Sequence, residues 1–311
     1  MKLGEILLEI VRSDLVESVH AGHLLVVDGA GSDRLALGDL DSLIYPRSAI
    51  KGIQASAMVR AGLKVSPKEL ALVCASHAGS PEHLATAASI LNSVKLDASA
   101  LRNTPDKPLD PKERASWGDR EGTSLSANCS GKHAGMIATC VVNGWDIGSY
   151  KDPNHPLQLA IKAEFESLSG ESIKKVSIDG CGAPLFALSI RGITRAIHNL
   201  VTSTDPVHQE VFQACTSNPV MVSGIGRLPT ILMSEVPGLF VKDGAEGVMV
   251  MASKNGAITW KMSDGSQRGA ATLANATLSH LGIEFTPAKE PVMGDGRVVG
   301  EIRASKLVRY E

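Results

Sequence analysis

Tyr45-Pro46-Arg47-Ser48-Ala49-Ile50-Lys51 is the stretch around which the rest of the chain is organised. It sets a hydroxyl and an amine three residues apart at what the sequence marks as a helix start. Positions i and i+3 share a helix face, so the Ser48 hydroxyl and the Lys51 amine are expected side by side. Pro46 suits a helix N-terminus, where its missing N–H costs nothing. The helix dipole opposes a cation at that end, which eases loss of the Lys51 proton. Serine becomes a good nucleophile when a neighbouring base takes its proton, and a neutral lysine is such a base. The same four-residue pattern also arises by chance, as a helix serine beside a solvated lysine. Its meaning depends on the surrounding chain.

Downstream, Ile50, Ile53, Ala57 and Met58 keep helical spacing as far as Gly62, which fits a C-cap. Ser66-Pro67-Lys68-Glu69 opens a second helix running to about Ala75. Ser76-His77-Ala78-Gly79-Ser80-Pro81-Glu82-His83 follows. Ser80, just before Pro81, reads either as the N-cap of a helix over 81–93 or as a second catalytic hydroxyl. Residues 103–123 are polar, proline-punctuated and read as a surface loop. Asn128-Cys129-Ser130-Gly131-Lys132-His133-Ala134-Gly135-Met136 then opens a helix to about Val142. Cys129, Lys132, His133 and Met136 share one face. A core stripe rarely holds Lys and His together, because unpaired buried charge is expensive. Gly131 and Gly135 permit another element to approach closely. After a helix over 156–169 comes Asp179-Gly180-Cys181-Gly182-Ala183-Pro184, a rigidly punctuated loop. It is either a plain Asx turn or a carrier of two reactive groups. Helices are expected over 183–199 and 205–217.

Upstream, residues 4–27 read as strand, turn, strand, with Leu24-Leu25-Val26-Val27 as a buried run. Residues 34–38 return as a short strand. After Gly224-Ile225-Gly226-Arg227 the pattern turns to strands at 239–242, 247–252 and 257–262, joined by Asp243-Gly244 and Asn255-Gly256 turns. Lys261 ends the third. A helix over 267–281 and a strand over 297–302 complete the chain. The expected fold is one α/β domain over 1–311. Its sheet comes from about 1–45 and 220–311, with a mainly helical part, about 46–219, inserted between.

The 311 residues are 43% apolar and 21% charged, an ordinary balance for a globular protein. A formal charge of −2 without a long basic run argues against a nucleic-acid partner. No apolar run reaches membrane-spanning length, and the N-terminal stretch, carrying Glu5 and Glu9, does not read as a signal peptide. Five irregularly spaced cysteines suggest reduced thiols and a cytoplasmic setting. Of these, Cys74, Cys140 and Cys215 sit in apolar helical patterns and read as core.

Ser-x-x-Lys alone is shared with serine β-lactamases and penicillin-binding proteins. Taken with Ser76–Ser80, 128–136, His155-Pro156-Leu157-Gln158, Asp179–Pro184, Lys242-Asp243-Gly244-Ala245-Glu246-Gly247 and Lys261, it resembles the rhizobial-type (class 3) L-asparaginases of the asparaginase II family. The resemblance extends over nearly the whole chain. It implies a serine β-lactamase/glutaminase-like fold, a homodimer, and hydrolysis of the L-asparagine side-chain amide to aspartate and ammonia. It implies two Ser–Lys pairs, Ser48 with Lys51 and Ser80 with Lys261, and a zinc ion held by Cys129, Lys132 and Cys181. Without the resemblance, Cys129 and Cys181 read as buried thiols, or as a disulfide if oxidised. Ser126-Ala127 and Asp243 depart from the family pattern and bear on pocket shape. Asp179 is the candidate for the substrate α-ammonium, Arg47 for its α-carboxylate, and His133 for a substrate-facing group. The alternatives are a glutaminase or other serine amidohydrolase of the same fold, and a non-catalytic zinc- or amino-acid-binding protein. The separate Ser-Asp-Asn and Lys-Thr-Gly motifs of β-lactamases are absent.

Overall fold

The computed structural model describes residues 2–286 and 290–310. The strands among the described residues are β1 (Glu5–Arg12), β2 (Leu15–Asp28), β3 (Asp33–Leu37), β4 (Leu43–Ile44), β5 (Val176–Ile178), β6 (Pro184–Phe186), β7 (Leu188–Ser189), β8 (Phe240–Gly244), β9 (Val248–Ser253), β10 (Gly256–Met262), β11 (Pro291–Gly294) and β12 (Arg297–Ala304). The main antiparallel sheet runs β11-β12-β1-β2-β10-β9-β8, with β3 also paired to β2. Its strands therefore come from both ends of the sequence, and β1 is zipped to β12 from Leu8↔Ala304 to Arg12↔Gly300.

Between these strands the chain is mainly helical: α1 (Lys51–Arg60), α2 (Pro67–Val73), α3 (Pro81–Ser93), α4 (Pro111–Trp117), α5 (Ser130–Asn143), α6 (Pro156–Ser169), α7 (Ile190–Thr202), α8 (Pro206–Ser217), α9 (Pro219–Val222) and α10 (Leu228–Glu235). A last helix, α11 (Ala270–Ser279), packs on β12. The Ile190, Ile193, Ile197 and Leu200 stripe of α7 is fully buried and lies across β2, β9 and β10. It covers one face of the sheet at the Leu24–Val27 run, whose side chains alternate between the two faces and are at most 6% exposed. Each such side chain contributes about 1.5–3 kcal/mol through burial.

Three departures from the sequence reading have local causes. Residues 183–189 form the short strands β6 and β7 before α7 begins, because Ser189 caps that helix through Gly192 N. The polar segment 103–123 contains α4, capped by the Asp110 carboxylate on Lys112 N and Glu113 N with Pro111 at its first turn. Asp243-Gly244 lies inside β8 rather than in a turn; the turn falls at 245–247, and residues 228–235 are helix before the strands begin.

Helix α5 is the axis of the helical part and packs against α1, α2 and α3. A Cβ at Gly131 would stand 2.4 Å from Leu72 O, and one at Gly135 2.8 Å from Val73 Cγ2. Glycine at these two positions lets α5 lie directly on α2.

Candidate active site

A cavity of about 380 Å³ opens between the 3₁₀ turn Arg47–Ile50, the segment leading into α5, the loop joining β5 to β6, residues 104–106 and Ala245. Arg47, Ser48, Lys51, Cys129, Asp179 and Cys181 all line it. A larger cavity, about 760 Å³, lies beside β12 and α11, and its lining among the described residues includes neither a lysine nor a cysteine. The smaller one holds the chemistry.

The nucleophile arm is fixed by its neighbours. Lys51 ends the 3₁₀ turn and begins α1, its N–H donating to Ser48 O. Strand β8 presses on the same arm, since a Cβ at Gly244 would stand 2.6 Å from Pro46 O. Arg47 holds a left-handed backbone, φ 54°, which a non-glycine residue adopts only at a cost. That conformation turns its guanidinium towards the β5–β6 loop, where Nε donates to Asp179 Oδ1 at 2.8 Å.

Lys51 is 2% exposed. Its ammonium donates to Ala75 O and, at 3.1 Å, to Ser76 Oγ. Burial pushes its pKa down to about 7, helped by the positive charges of Lys132 and Lys242. A lysine in this condition can exchange a proton near neutrality. Lys242, fully buried on β8, donates to Asp243 Oδ1 at 2.6 Å, and Arg227 reaches the other oxygen of Asp243 at 2.9 Å. Burial lowers the Lys242 pKa. Burial alone would raise the Asp243 pKa, but Lys242 and Arg227 outweigh it and hold the carboxyl at about 2.

The second Ser–Lys pair is not formed by the residues expected. Ser80 caps α3: its hydroxyl accepts from His83 N and lies 2.7 Å from His83 Nδ1, completing a capping box. Lys261 donates to the backbone carbonyls of Glu246 and Met262. Ser80 and Lys261 are thus each satisfied by local partners and do not meet. The serine at the Lys51 amine is Ser76, and the buried lysines whose charges act on Lys51 are Lys132 and, more weakly, Lys242. Ser76 belongs to the same short stretch as Ser80, but its contact with Lys51 is tertiary and leaves no periodic trace. Lys242 betrays itself only as half of a Lys-Asp pair after the apolar Phe240-Val241 start of a short strand.

The α5 face carries the other chemistry. Cys129 Sγ, Cys181 Sγ and a ring nitrogen of His133 all lie within 4.8 Å of one another. Lys132 Nζ stands 3.1 Å from Cys181 Sγ. The two cysteines are free, so the disulfide alternative is not realised. Hydrogen bonding from Cys129 lowers the Cys181 pKa, and the Lys132 charge adds to the effect; Cys129 shifts upward in consequence. Burial works against the Lys132 ammonium, but the two sulfurs outweigh it. His133 is fully buried and held near pKa 4 by burial and by Lys132. Its Nδ1 meets the Tyr150 hydroxyl at 2.7 Å, while Nε2 has no hydrogen-bond partner among the described residues. An orphaned buried imidazole nitrogen beside two sulfurs and an amine is a donor set that fits a thiophilic divalent metal. The helical spacing already placed His133 on this face, as a group beside the metal ligands or facing the substrate.

The profile of the L-asparaginase II family matches residues 8–304. The chain belongs to the L-asparaginase II family. Membership implies a small-molecule amide substrate. No curated protein matches the chain. Among solved structures, a β-lactamase from Mycobacterium bovis is similar at 14% identity and a TM-score of 0.43, over 79% of this chain and 88% of that one. No helix among the described residues is long and apolar enough to cross a membrane.

Proposed function

We propose that this member of the L-asparaginase II family hydrolyses the side-chain amide of L-asparagine through a serine acyl-enzyme. The carrying observation is Lys51: a buried amine with a pKa near 7, on the wall of the same cavity as Ser48. In this reading Ser48 attacks the amide carbon and neutral Lys51 takes its proton. Ser76, hydrogen-bonded to that amine, passes the proton to the departing ammonia, and water then cleaves the β-aspartyl ester by the reverse route. Burial, with charge repulsion from Lys132 and Lys242, keeps the Lys51 amine neutral. Ser48 and Ala245 both line the cavity, so their backbone N–H groups are the candidates for the oxyanion hole. Arg47 and Asp179 are assigned to the α-carboxylate and α-ammonium of the substrate.

Zinc is part of the proposal, held by Cys129, Lys132 and Cys181, with His133 Nε2 within reach as a further donor. Bound there, it would supply a fixed positive charge beside the cavity. Lys132 must then give up its proton, and Cys129 and Cys181 both become thiolates. A homodimer in a reducing compartment is likewise proposed. It is supported by free cysteines and by exposed Leu3, Leu15 and Val19 near the β1–β2 hairpin.

The test is ammonia release from L-asparagine and L-glutamine, with and without complete metal removal. Selective release from asparagine is expected. Release from glutamine alone would replace the substrate, and release from neither would leave a binding protein.

A further inference from the structure

The turn after β8 carries a second strained residue. Glu246 has φ 61°, matching Arg47 at 54°, and neither is glycine. Gly247, which follows it, is itself left-handed, and the turn is tied down from two sides. Lys261 Nζ donates to Glu246 O, and Gln267 Nε2 donates to Gly244 O at 2.8 Å. The Glu246 carboxylate, 66% exposed, is thereby held 3.9 Å from Arg47 Nη1, while Arg47 Nε keeps Asp179 at 2.8 Å. One guanidinium thus faces two carboxylates at the cavity mouth. Local strain of this kind persists only where the surroundings enforce it, and here Lys261 and Gln267 do so.

Resting on the reading of the site as an amidohydrolase of a free amino acid, we propose that Glu246 is a positioning residue that sets specificity for substrates bearing an α-ammonium. Arg47, Asp179 and Glu246 together carry one surplus negative charge. A zwitterionic amino acid brings one charge of each sign, so the surplus stays at one and its ammonium gains carboxylate partners, whereas a lone carboxylate raises the surplus to two. An amide with a carboxylate but no ammonium leaves Asp179 and Glu246 competing with it for a single guanidinium. Lys261 serves the same end indirectly, by fixing the turn on which Glu246 stands.

The experiment compares L-asparagine with its deamino analogue succinamate in wild type, Glu246→Gln, Lys261→Met and the double variant. Glu246→Gln should lower the asparagine-to-succinamate ratio of kcat/KM by roughly two- to fivefold, as expected for an exposed charge pair. The change should appear in KM rather than kcat, and should shrink in 0.5 M salt as screening takes over. Lys261→Met should move the ratio the same way, and the double variant no further than Glu246→Gln alone. An unchanged ratio, or an equal loss on both substrates, would overturn the proposal. If wild type hydrolyses neither amide, the amidohydrolase reading fails on its own. The charge proposal is then decided by calorimetric binding of L-aspartate against succinate, where Glu246→Gln must narrow the preference for aspartate or the proposal falls.

Discussion

Replacing Lys51 by methionine should stabilise the protein while removing its activity, and the gain should depend on pH in a defined way. The Lys51 pKa falls from an ordinary 10.5 to about 7 in the fold. The charged amine is therefore disfavoured by folding: stability from this group is full above pH 10.5 and is lost as the pH falls through 7. At about 1.36 kcal/mol per pKa unit the loss is about 2 kcal/mol at pH 9 and about 4 kcal/mol at pH 7. Methionine fills similar volume and does not titrate. It forgoes the hydrogen bonds to Ala75 O and Ser76 Oγ, a cost of about 1–3 kcal/mol that does not vary with pH once they are lost. Whatever the offset, the Lys51→Met protein should gain on wild type by about 2 kcal/mol between pH 9 and pH 7. Urea denaturation of both proteins at pH 7, 8 and 9 measures this directly. Wild-type kcat should in parallel rise along a limb centred near pH 7, and the variant should lose about a hundredfold to ten-thousandfold in kcat. A stability gap independent of pH would mean that Lys51 stays charged through this range, and the neutral-base mechanism would fall with it.

Other substitutions separate the roles of the three serines and of the sulfur cluster. Ser48→Ala should abolish the covalent adduct seen by mass spectrometry during turnover, whereas Ser76→Ala should slow turnover with the adduct still forming; the reverse pattern would make Ser76 the nucleophile. Ser80→Ala should cost about 0.5–2 kcal/mol of stability by loss of the α3 cap and leave kcat intact, and a large fall in kcat would return Ser80 to the catalytic machinery. Cys181→Ser should reduce the zinc content measured by atomic absorption from one ion per chain towards none, and unchanged occupancy would exclude this residue as a ligand.

Local features of the chain were legible and tertiary ones were not. The i, i+3 spacing of Ser48 and Lys51 is a statement about one turn; both residues line the cavity, while the Lys51 amine takes its hydrogen bonds to Ala75 O and Ser76 Oγ. Cys129, Lys132 and His133 were likewise grouped by helical spacing alone, and Cys181 came from the punctuation of its loop. The failure at Ser80 has the same origin: Ser80-Pro81 is a strong local signal, but for a capping box, and it outshone Ser76 four residues earlier. Choosing between Lys242 and Lys261 required knowing which strand lies at the edge beside the Arg47–Ile50 turn. Both lysines sit on β-strands of similar composition, and only the sheet order puts β8 there. The α4 helix, by contrast, had its Asp110-Pro111 start signal in plain view, concealed by a high density of charged residues.

The two-ended sheet also dictates when the site comes into being. Glu9 and Arg303 form a side-chain ion pair across β1 and β12 although 294 positions separate them. Such pairings have high contact order, and the loop-closure entropy must be met before any contact repays it, so closure of this sheet should be slow. Ser48 and Lys51 leave the ribosome early, while β8 with Lys242 follows after the helical part is complete. Until β8 docks against Pro46, nothing squeezes the Arg47 turn into its left-handed form, and the charge of Lys242 does not yet add to that of Lys132 in depressing Lys51. The helical part can therefore condense first as an inert scaffold, with reactivity arriving in one late step when the last strands close over it.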